Sequence, residues 1–153
     1  MNGLFFSIAA LVLTSYGAAQ DYTPPQDHYV VPDARNDDLY RAFGGAEAVE
    51  ASVDNFIRIA LENKRIAHTF EESNMDRFRE KLILQLCDVM GGPCEYDGFG
   101  MRESHQPLDI SRAEWGYMVA DFQTAMSEAG VPFRVQNRLL ALLAPMHRDI
   151  VAD

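Results

Sequence analysis

A run rich in glycine and proline, residues 91–110, interrupts a chain whose other segments carry helical periodicity. Glycines at 91, 92, 98 and 100 and prolines at 93 and 107 leave room for little more than one short helical turn. That turn would place Met101, His105 and Leu108 on one face. The fold must therefore accommodate an irregular segment that presents a histidine among apolar residues.

Helical periodicity covers the part of the chain before this run. Gly44 and Gly45 end a short predicted helix, because glycine readily adopts the left-handed conformation that closes helices. Apolar residues recur at intervals of three and four over residues 46–63. A further helix over residues 75–90 stops at the glycine pair that opens the run, so three helices are predicted here.

The part after the run is predicted to form two helices. Ser111 and Glu114 have the S-x-x-E spacing of a capping box, which opens a helix that closes near Gly130. Pro132 stands where a first helical turn tolerates proline, and Pro145 inside the last apolar stripe predicts a kink. Since we find no alternating strand pattern and no internal repeat, the sequence predicts an all-α domain.

The N-terminal residues indicate export. An uncharged apolar run followed by small residues is typical of a secretory signal peptide, here residues 1–19 with cleavage after Ala19. The apolar run is short for a membrane span, and a buried helix or an uncleaved anchor is the alternative. Residues 20–36 contain three prolines and predict an extended linker. We therefore expect a periplasmic or secreted protein with its folded domain over residues 37–153 and no membrane span after cleavage.

The net charge of the chain limits the classes of partner that it can bind. The formal net charge of −10 argues against nucleic acid or an anionic membrane surface as the main partner, since both are recognised through a basic surface. A length of 153 residues with 48% hydrophobic residues is enough for one domain with a core.

The residue types around the run suit a haem pocket. Haem iron needs a neutral imidazole on one side and an apolar slot for the porphyrin, and His105 can supply the imidazole. Helical projection of the preceding helix puts Phe78, Leu82 and Gln85 on one face, with Lys81 at its edge. A plain core face with a lysine reaching out to solvent would show the same pattern.

The two cysteines, Cys87 and Cys94, flank the glycine pair. Helical projection turns Cys87 away from the face of Phe78, so it is a poor candidate for an iron ligand. A disulfide in an exported protein and two free thiols both remain open. No C-x-x-C-H motif for covalent haem attachment occurs, and no cysteine–histidine arrangement has zinc spacing.

Three stretches resemble the group I truncated haemoglobins: LYRAFGGAEAVEASVDNF, the segment from MDRF through GGPCEYDGFGMRESH, and GVP followed by LLALLAP. The resemblance covers about residues 37–151. It implies a two-over-two helical sandwich around haem b, in which double glycines end helices abruptly and a loose loop delivers the proximal histidine. The cysteine pair is similar to that of a subset of group I members with leader peptides.

The resemblance also implies the residues of the haem site. His105 matches the proximal iron ligand, and Phe70 matches an aromatic residue that wedges against the ring. Further positions match the distal side, the proximal side and the haem edge: Phe78, Lys81, Leu82, Gln85, Leu86, Met101 and Tyr96. No catalytic residue is implied.

The chain departs from the family pattern near the distal side. Ile57 stands where many members have a tyrosine that hydrogen-bonds dioxygen, and Leu82 stands where many have a glutamine. Pro107 replaces a glycine that usually follows the proximal histidine by two residues. The first two departures disfavour tight O₂ binding and efficient NO dioxygenation, and they leave Gln85 as the best neutral donor to a diatomic ligand.

Three polar side chains have other interpretations. Lys81 is either a surface lysine that contacts a haem propionate or, deprotonated by burial, a distal sixth ligand of the iron. His68 could swing toward the iron. His147 is interpreted as a surface cation near the C-terminus of the last helix, where the helix dipole favours it.

The main prediction is a haem globin that binds O₂, NO or CO reversibly, as carrier, scavenger or sensor. The alternative is a haem redox enzyme with internally hexacoordinate iron, acting on NO, peroxide or nitrite with an external electron donor. Nothing resembles a reductase domain, and the distal wall lacks an evident acid–base pair. A third possibility is a helical interaction module without haem, which His105 and Phe70 argue against.

Overall fold

The computed structural model describes residues 37–152, which form seven α-helices and three 3₁₀ turns. The α-helices are α1 (Asp38–Phe43), α2 (Gly45–Glu62), α3 (Met75–Val89), α4 (Met101–His105), α5 (Arg112–Glu128), α6 (Phe133–Leu143) and α7 (His147–Ile150). The 3₁₀ turns are Ala67–Phe70, Gln106–Leu108 and Ala144–Met146. The predicted signal peptide and linker, residues 1–36, lie outside the described residues.

Four longer helices, α2, α3, α5 and α6, make the frame. Helix α2 packs against both α3 and α5, α5 packs against α6, and the short α1 contacts α2 and α6. Their facing sides bury one continuous apolar core. The most deeply buried members are Phe43, Val49, Val53, Ala60, Ile66, Leu86, Met90, Ala125, Met126 and Leu139. The prediction of an all-α domain is confirmed, and no helix within residues 37–152 is long and apolar enough to cross a membrane.

The first glycine pair separates α1 from α2 without an intervening loop. Gly44 has a φ of 113° and closes α1 by donating its backbone N–H to the carbonyl of Arg41. A Cβ at Gly44 would lie 2.7 Å from the Cβ of Ala48, so the position has no room for a side chain. Its positive φ is also one that residues other than glycine rarely adopt. The predicted end of the first helix at this pair is confirmed.

Residues at the helix ends also set the start of α5 and the division between α6 and α7. The side chain of Ser111 accepts from the N–H of Glu114, whose carboxylate accepts from the N–H of Ser111 at 2.8 Å, so the predicted capping box is present. Pro145 lies in a 3₁₀ turn between α6 and α7. The predicted kink is thus a break into two helices, because proline cannot donate the hydrogen bond that would continue the first.

The C-terminus is tied back to the segment that follows α4. Ile110 and Val151 form a single parallel β-bridge, and the N–H of Ala152 donates to the carbonyl of Ile110 at 2.9 Å. Arg102 on α4 forms an ion pair with Asp149 on α7 at 2.7 Å. These contacts connect the short helix that carries His105 to the end of the domain.

Candidate functional site

A largely apolar cavity of about 670 Å³ lies within the helical frame. This volume is in the range of small-molecule and cofactor sites. Its wall receives residues from every helix from α2 to α7 and from the loop between α3 and α4. The cavity is therefore built from the whole domain rather than from one motif.

The cavity brings together nine of the ten residues that the sequence assigned to haem binding. These are Phe70, Phe78, Lys81, Leu82, Gln85, Leu86, Tyr96, Met101 and His105. The tenth, Ile57, is half-buried against the core and does not line the cavity, whereas its neighbour Phe56 does. Adjacent residues on a helix point about 100° apart, so both cannot face the same space equally.

His105 is held in one tautomer by its own helix. Its Nδ1 lies 2.8 Å from the carbonyl oxygen of Met101. Because a carbonyl can only accept, Nδ1 carries the proton and Nε2 keeps its lone pair. The hydroxyl of Ser104, which donates to the carbonyl of Gly100 at 2.9 Å, lies 3.0 Å from the same Nδ1.

Burial also keeps the imidazole of His105 neutral. Desolvation lowers the pKa of His105 below its ordinary value, and the hydrogen bond to Met101 opposes this only in part. A neutral imidazole with an available Nε2 is the form that ligates iron. The side chain is thus prepared for a metal in the cavity that it lines.

An aromatic cluster forms one side of the cavity. Phe70 meets Phe78 edge to face with ring centroids 5.4 Å apart, and it meets Phe56 at 6.5 Å. Phe56 in turn contacts Phe122 at 5.5 Å. These T-shaped contacts join α2, α3 and α5 around an apolar slot suited to a planar ring.

Lys81 stands at the edge of the cavity in an ion-paired state. Its ammonium donates to Asp97 at 2.7 Å and to Glu80 at 2.9 Å. The hydrogen bond that Lys81 donates to Asp97, followed by the one that it donates to Glu80, raises the pKa of Lys81 above its ordinary value. These contacts show a charged lysine at the cavity rim; its contact to a haem propionate and its role as an iron ligand both stay predictions.

The two other histidines discussed above have different surroundings. His68 is exposed, and its Nε2 lies 2.9 Å from Glu114, outside the cavity lining described here. His147 is half-buried, lines the cavity and meets Trp115 edge to face at 5.4 Å. Because α7 has only four residues, His147 lies within the last turn of the last helix, as the sequence predicted, but its ring faces the cavity rather than open solvent.

Sequence reasoning missed the wall that α5 and the last helices contribute. This wall contains Trp115, Met118, Val119, Phe122, Leu140, Leu143, Met146, His147 and Ile150. Their apolar spacing was visible, but it predicted only a core face. The same spacing serves a core or a cavity, so no residue pattern in these helices could separate the two.

The cysteines form a disulfide. Cys87 and Cys94 are bonded, with their Cα atoms 5.8 Å apart. The chain has only these two cysteines, so neither thiol is available for a thioether bond to a cofactor. Of the two alternatives that the sequence left open, the structure contains the disulfide.

The residues of the cavity fit a haem group. The wall is mainly apolar, the aromatic cluster frames a slot, and His105 offers an unprotonated Nε2. Arg77 and Lys81 at the rim can donate to the carboxylates of haem propionates, Lys81 in exchange for a contact to Asp97 or Glu80. An all-helical domain that presents a neutral histidine to such a cavity has the organisation of a haem-binding globin.

Comparison with known proteins agrees with this class. The model of the Bacterial-like globin family matches residues 38–152. Group 1 truncated hemoglobin GlbN of Mycolicibacterium paratuberculosis is 30% identical over 112 residues, which cover 73% of this chain and 82% of that protein. GlbN of Synechocystis is 32% identical over 119 residues, which cover 74% and 96%. The chain therefore belongs to the bacterial-like globin family, among the group 1 truncated haemoglobins.

A solved structure supports the fold independently. The Fe(III) form of truncated hemoglobin from Tetrahymena pyriformis superposes with a TM-score of 0.72 at 24% identity. The superposition covers 75% of this chain and 98% of that chain. The two-over-two sandwich predicted from the sequence is thus confirmed, and membership of the family makes this chain a haem-binding globin.

The ion pair at the cavity rim predicts a pH-dependent contribution to stability. Asp97→Asn should lower the melting temperature slightly near pH 7, because the folded pKa of Asp97 is lowered chiefly by its hydrogen bond from Lys81. A group with a lowered folded pKa stabilises the fold above its unfolded pKa of about 4, and this is lost as pH falls through the folded pKa. Melting curves from pH 7 to pH 2 should therefore converge for the two proteins.

Glu95→Gln is the matched control for this measurement, since Glu95 is exposed in the same loop. It removes the same charge without removing the contact to Lys81. An equal effect of both substitutions at every pH would contradict a specific role of Asp97.

Proposed function

We propose that this globin binds O₂, NO or CO reversibly at haem b, with His105 as the proximal iron ligand. The observation that carries the proposal is the Nδ1 hydrogen bond of His105 to the carbonyl of Met101 at 2.8 Å, which leaves Nε2 free in an apolar cavity. Haem supplies the iron at which a diatomic gas binds. The protein supplies the ligand, its orientation and a site shielded from water.

The assignment of haem b rests on the disulfide. Haem attached through cysteine needs free thiols, and Cys87 and Cys94 are bonded to each other. With that route closed, apolar contact, His105 and charge at the rim are the means by which the chain would hold the group. Extraction of haem into acidified butanone should therefore leave colourless protein, whereas a protein that stays coloured would contradict a non-covalent haem.

The polar groups of the cavity predict modest stabilisation of bound O₂. On α3, the cavity-facing Phe78 and Leu82 cannot donate a hydrogen bond. The amide of Gln85 contacts the sulfur of Met101 at 3.1 Å and that of Met146 at 3.8 Å. Because thioether sulfur is a weak acceptor, Gln85 has donor capacity to offer a ligand.

A redox enzyme with Lys81 as an internal sixth ligand is the second candidate. Lys81 lines the cavity, which favours it, but its ammonium would have to leave both Asp97 and Glu80 and lose its proton. Hydrogen bonds that raise the pKa of Lys81 oppose that step. Gas binding at an open sixth position is therefore the better supported function.

Absorption spectra of the haem-loaded protein separate the two candidates. Ferric and ferrous spectra should be recorded from pH 6 to pH 10 for the wild type, Lys81→Ala and Lys64→Ala, in which the exposed Lys64 is the chain's other lysine. We expect a five-coordinate ferrous spectrum that shifts promptly with CO, alike in all three proteins. A six-coordinate low-spin spectrum that becomes high-spin only in Lys81→Ala would favour the redox enzyme.

We also propose that the protein acts outside the cytoplasm. The disulfide supports this, because structural disulfides persist mainly in oxidising compartments. The predicted signal peptide would direct the export. N-terminal sequencing of the protein recovered from the periplasm or medium should begin at Gln20, and recovery of the uncleaved chain from the cytoplasm would contradict the proposal.

A further inference from the structure

We propose that the disulfide between Cys87 and Cys94 is a thiol-sensitive clamp on the haem cavity. It holds the loop of residues 91–100, called here the clamp loop, against α3, and its reduction should speed the loss of haem. The inference rests on haem binding, which the family establishes, and is independent of which gas the iron binds.

The clamp loop is a wall of the cavity and leads to the proximal ligand. Tyr96, Gly98 and Phe99 line the cavity, and the loop ends where α4 begins. It contains no regular helix or strand, so its backbone is not held by a ladder of hydrogen bonds. Its position therefore depends on contacts to neighbouring elements, chiefly α3.

Two backbone hydrogen bonds hold the start of the clamp loop on α3, from Gly91 to the carbonyl of Asp88 at 2.9 Å and from Gly92 to that of Cys87 at 2.8 Å. Beyond Cys94, its non-covalent contacts to α3 are few and lie near the surface. The N–H of Tyr96 donates to the carboxylate of Asp88 at 3.1 Å, and Lys81 donates to Asp97. The guanidinium of Arg77 lies 5.3 Å from the ring centroid of Phe99, which is 54% exposed. Exposed ion pairs and cation–π contacts contribute little individually, so the part of the loop after Cys94 is held only weakly by these three contacts.

The disulfide, unlike these contacts, holds the clamp loop to α3 by a covalent bond. Cys87 is buried on α3, 1% exposed, and thus fixes one end of the bond in the core. Gly92 donates its N–H to the carbonyl of Cys87 at 2.8 Å, and a Cβ on Gly92 would lie 2.7 Å from the sulfur of Cys87. The loop backbone therefore runs directly over the disulfide, and Cys94 cannot move away from α3 while the bond is intact.

Reduction by a dithiol is chemically straightforward at this site. A thiolate of the reductant attacks the sulfur of Cys94, which is less buried than Cys87, and Cys87 leaves as a thiolate that takes up a proton. The second thiol of the reductant then closes its own disulfide and releases Cys94 as a thiol. Two electrons pass from the dithiol to the protein, which gains two thiols.

Release of the clamp loop on reduction should change haem retention more than it changes the fold. The apolar core of the long helices, in which Cys87 is buried, stays packed, whereas the clamp loop beyond Cys94 keeps only contacts near the surface of α3. Local opening of such a loop costs less than global unfolding. We expect haem loss to accelerate on the order of tenfold, since a disulfide's usual constraint is removed from the opening step.

Transfer of haem to an excess of apomyoglobin measures this rate directly. Ferric protein should be compared as purified, after reduction with dithiothreitol and its anaerobic removal, and after reoxidation. The variant Cys87→Ser/Cys94→Ser, with and without the same treatment, controls for any effect of the reductant on the haem. We expect fast loss from the reduced protein and from the variant, slow loss from the oxidised and reoxidised protein, and no effect of treatment on the variant.

Hydrogen exchange gives a second readout that does not depend on haem transfer. Amides of the clamp loop, including that of Tyr96, should exchange faster in the reduced protein, while those of α2 and α5 stay protected. Equal haem-loss rates in oxidised and reduced wild type would overturn the proposal, whatever the double variant does. Loss of protection throughout the domain on reduction would also overturn it, because the disulfide would then stabilise the fold rather than the loop.

Discussion

His105→Ala should abolish stable haem binding by the purified protein. Its imidazole is held ready for iron in the described structure, with Nδ1 bonded to Met101 and Nε2 free, and burial lowers its pKa. Loss of a hydrogen-bond partner of a metal ligand costs about 10–100-fold in affinity, and loss of the ligand itself should exceed that. Titration of the apoprotein with haem, followed by the Soret band, measures the effect.

Two controls make the His105 result interpretable. His68→Ala removes a histidine that is paired with Glu114 outside the cavity lining, and it should keep the wild-type spectrum. Added imidazole should restore a low-affinity haem complex to His105→Ala, because the rest of the cavity is intact. An unchanged ferrous spectrum in His105→Ala would show that another residue ligates the iron, and His147 in the cavity wall would be the first to examine.

Phe56→Ala should lower the free energy of unfolding of the apoprotein by about 3–5 kcal/mol. Phe56 is only 4% exposed, and its ring makes edge-to-face contacts with both Phe70 and Phe122. The substitution removes a buried ring and leaves a void that the helices on either side cannot fully close. Urea unfolding followed by circular dichroism measures the loss.

Phe133→Ala is the matched control for that measurement. Its side chain is 67% exposed at the start of α6, so removal of the same ring should change stability by no more than about 0.5 kcal/mol. If Phe56→Ala and Phe133→Ala had equal effects, the aromatic cluster would not be the stabilising feature described above.

The candidate site shows which features of the molecule could be predicted from short stretches of the sequence. The turn that presents His105 could be predicted, because glycine and proline limit helix length and two apolar residues share one face with the histidine. The disulfide could not be predicted from the same run, since a separation of seven residues allows bonded and free cysteines alike. Only the folded path of the loop over Gly92 brings Cys94 to the buried Cys87.

Adjacent residues in α2 show what neither a family match nor helical periodicity can determine. Ile57 was assigned to the site by its match to the family, yet the neighbouring Phe56 lines the cavity. Periodicity states which residues share a face, but the element opposite determines what that face meets. His147 illustrates the same limit, because a break of the helix at Pro145 turned an expected surface side chain into part of the cavity wall.

The sequence by itself determined the helical segments, the glycine breaks between them, the capping box of α5 and the histidine on its apolar turn. Each of these depends on residues within a few positions of one another, where backbone preference and hydrogen bonding act locally. The tertiary structure alone decided the disulfide, the ion pair of Lys81 with Asp97, and the faces of α5 and α7 that line the cavity. Each of these depends on the path of a loop or on the packing of whole helices, which the preferences of a few neighbouring residues do not determine.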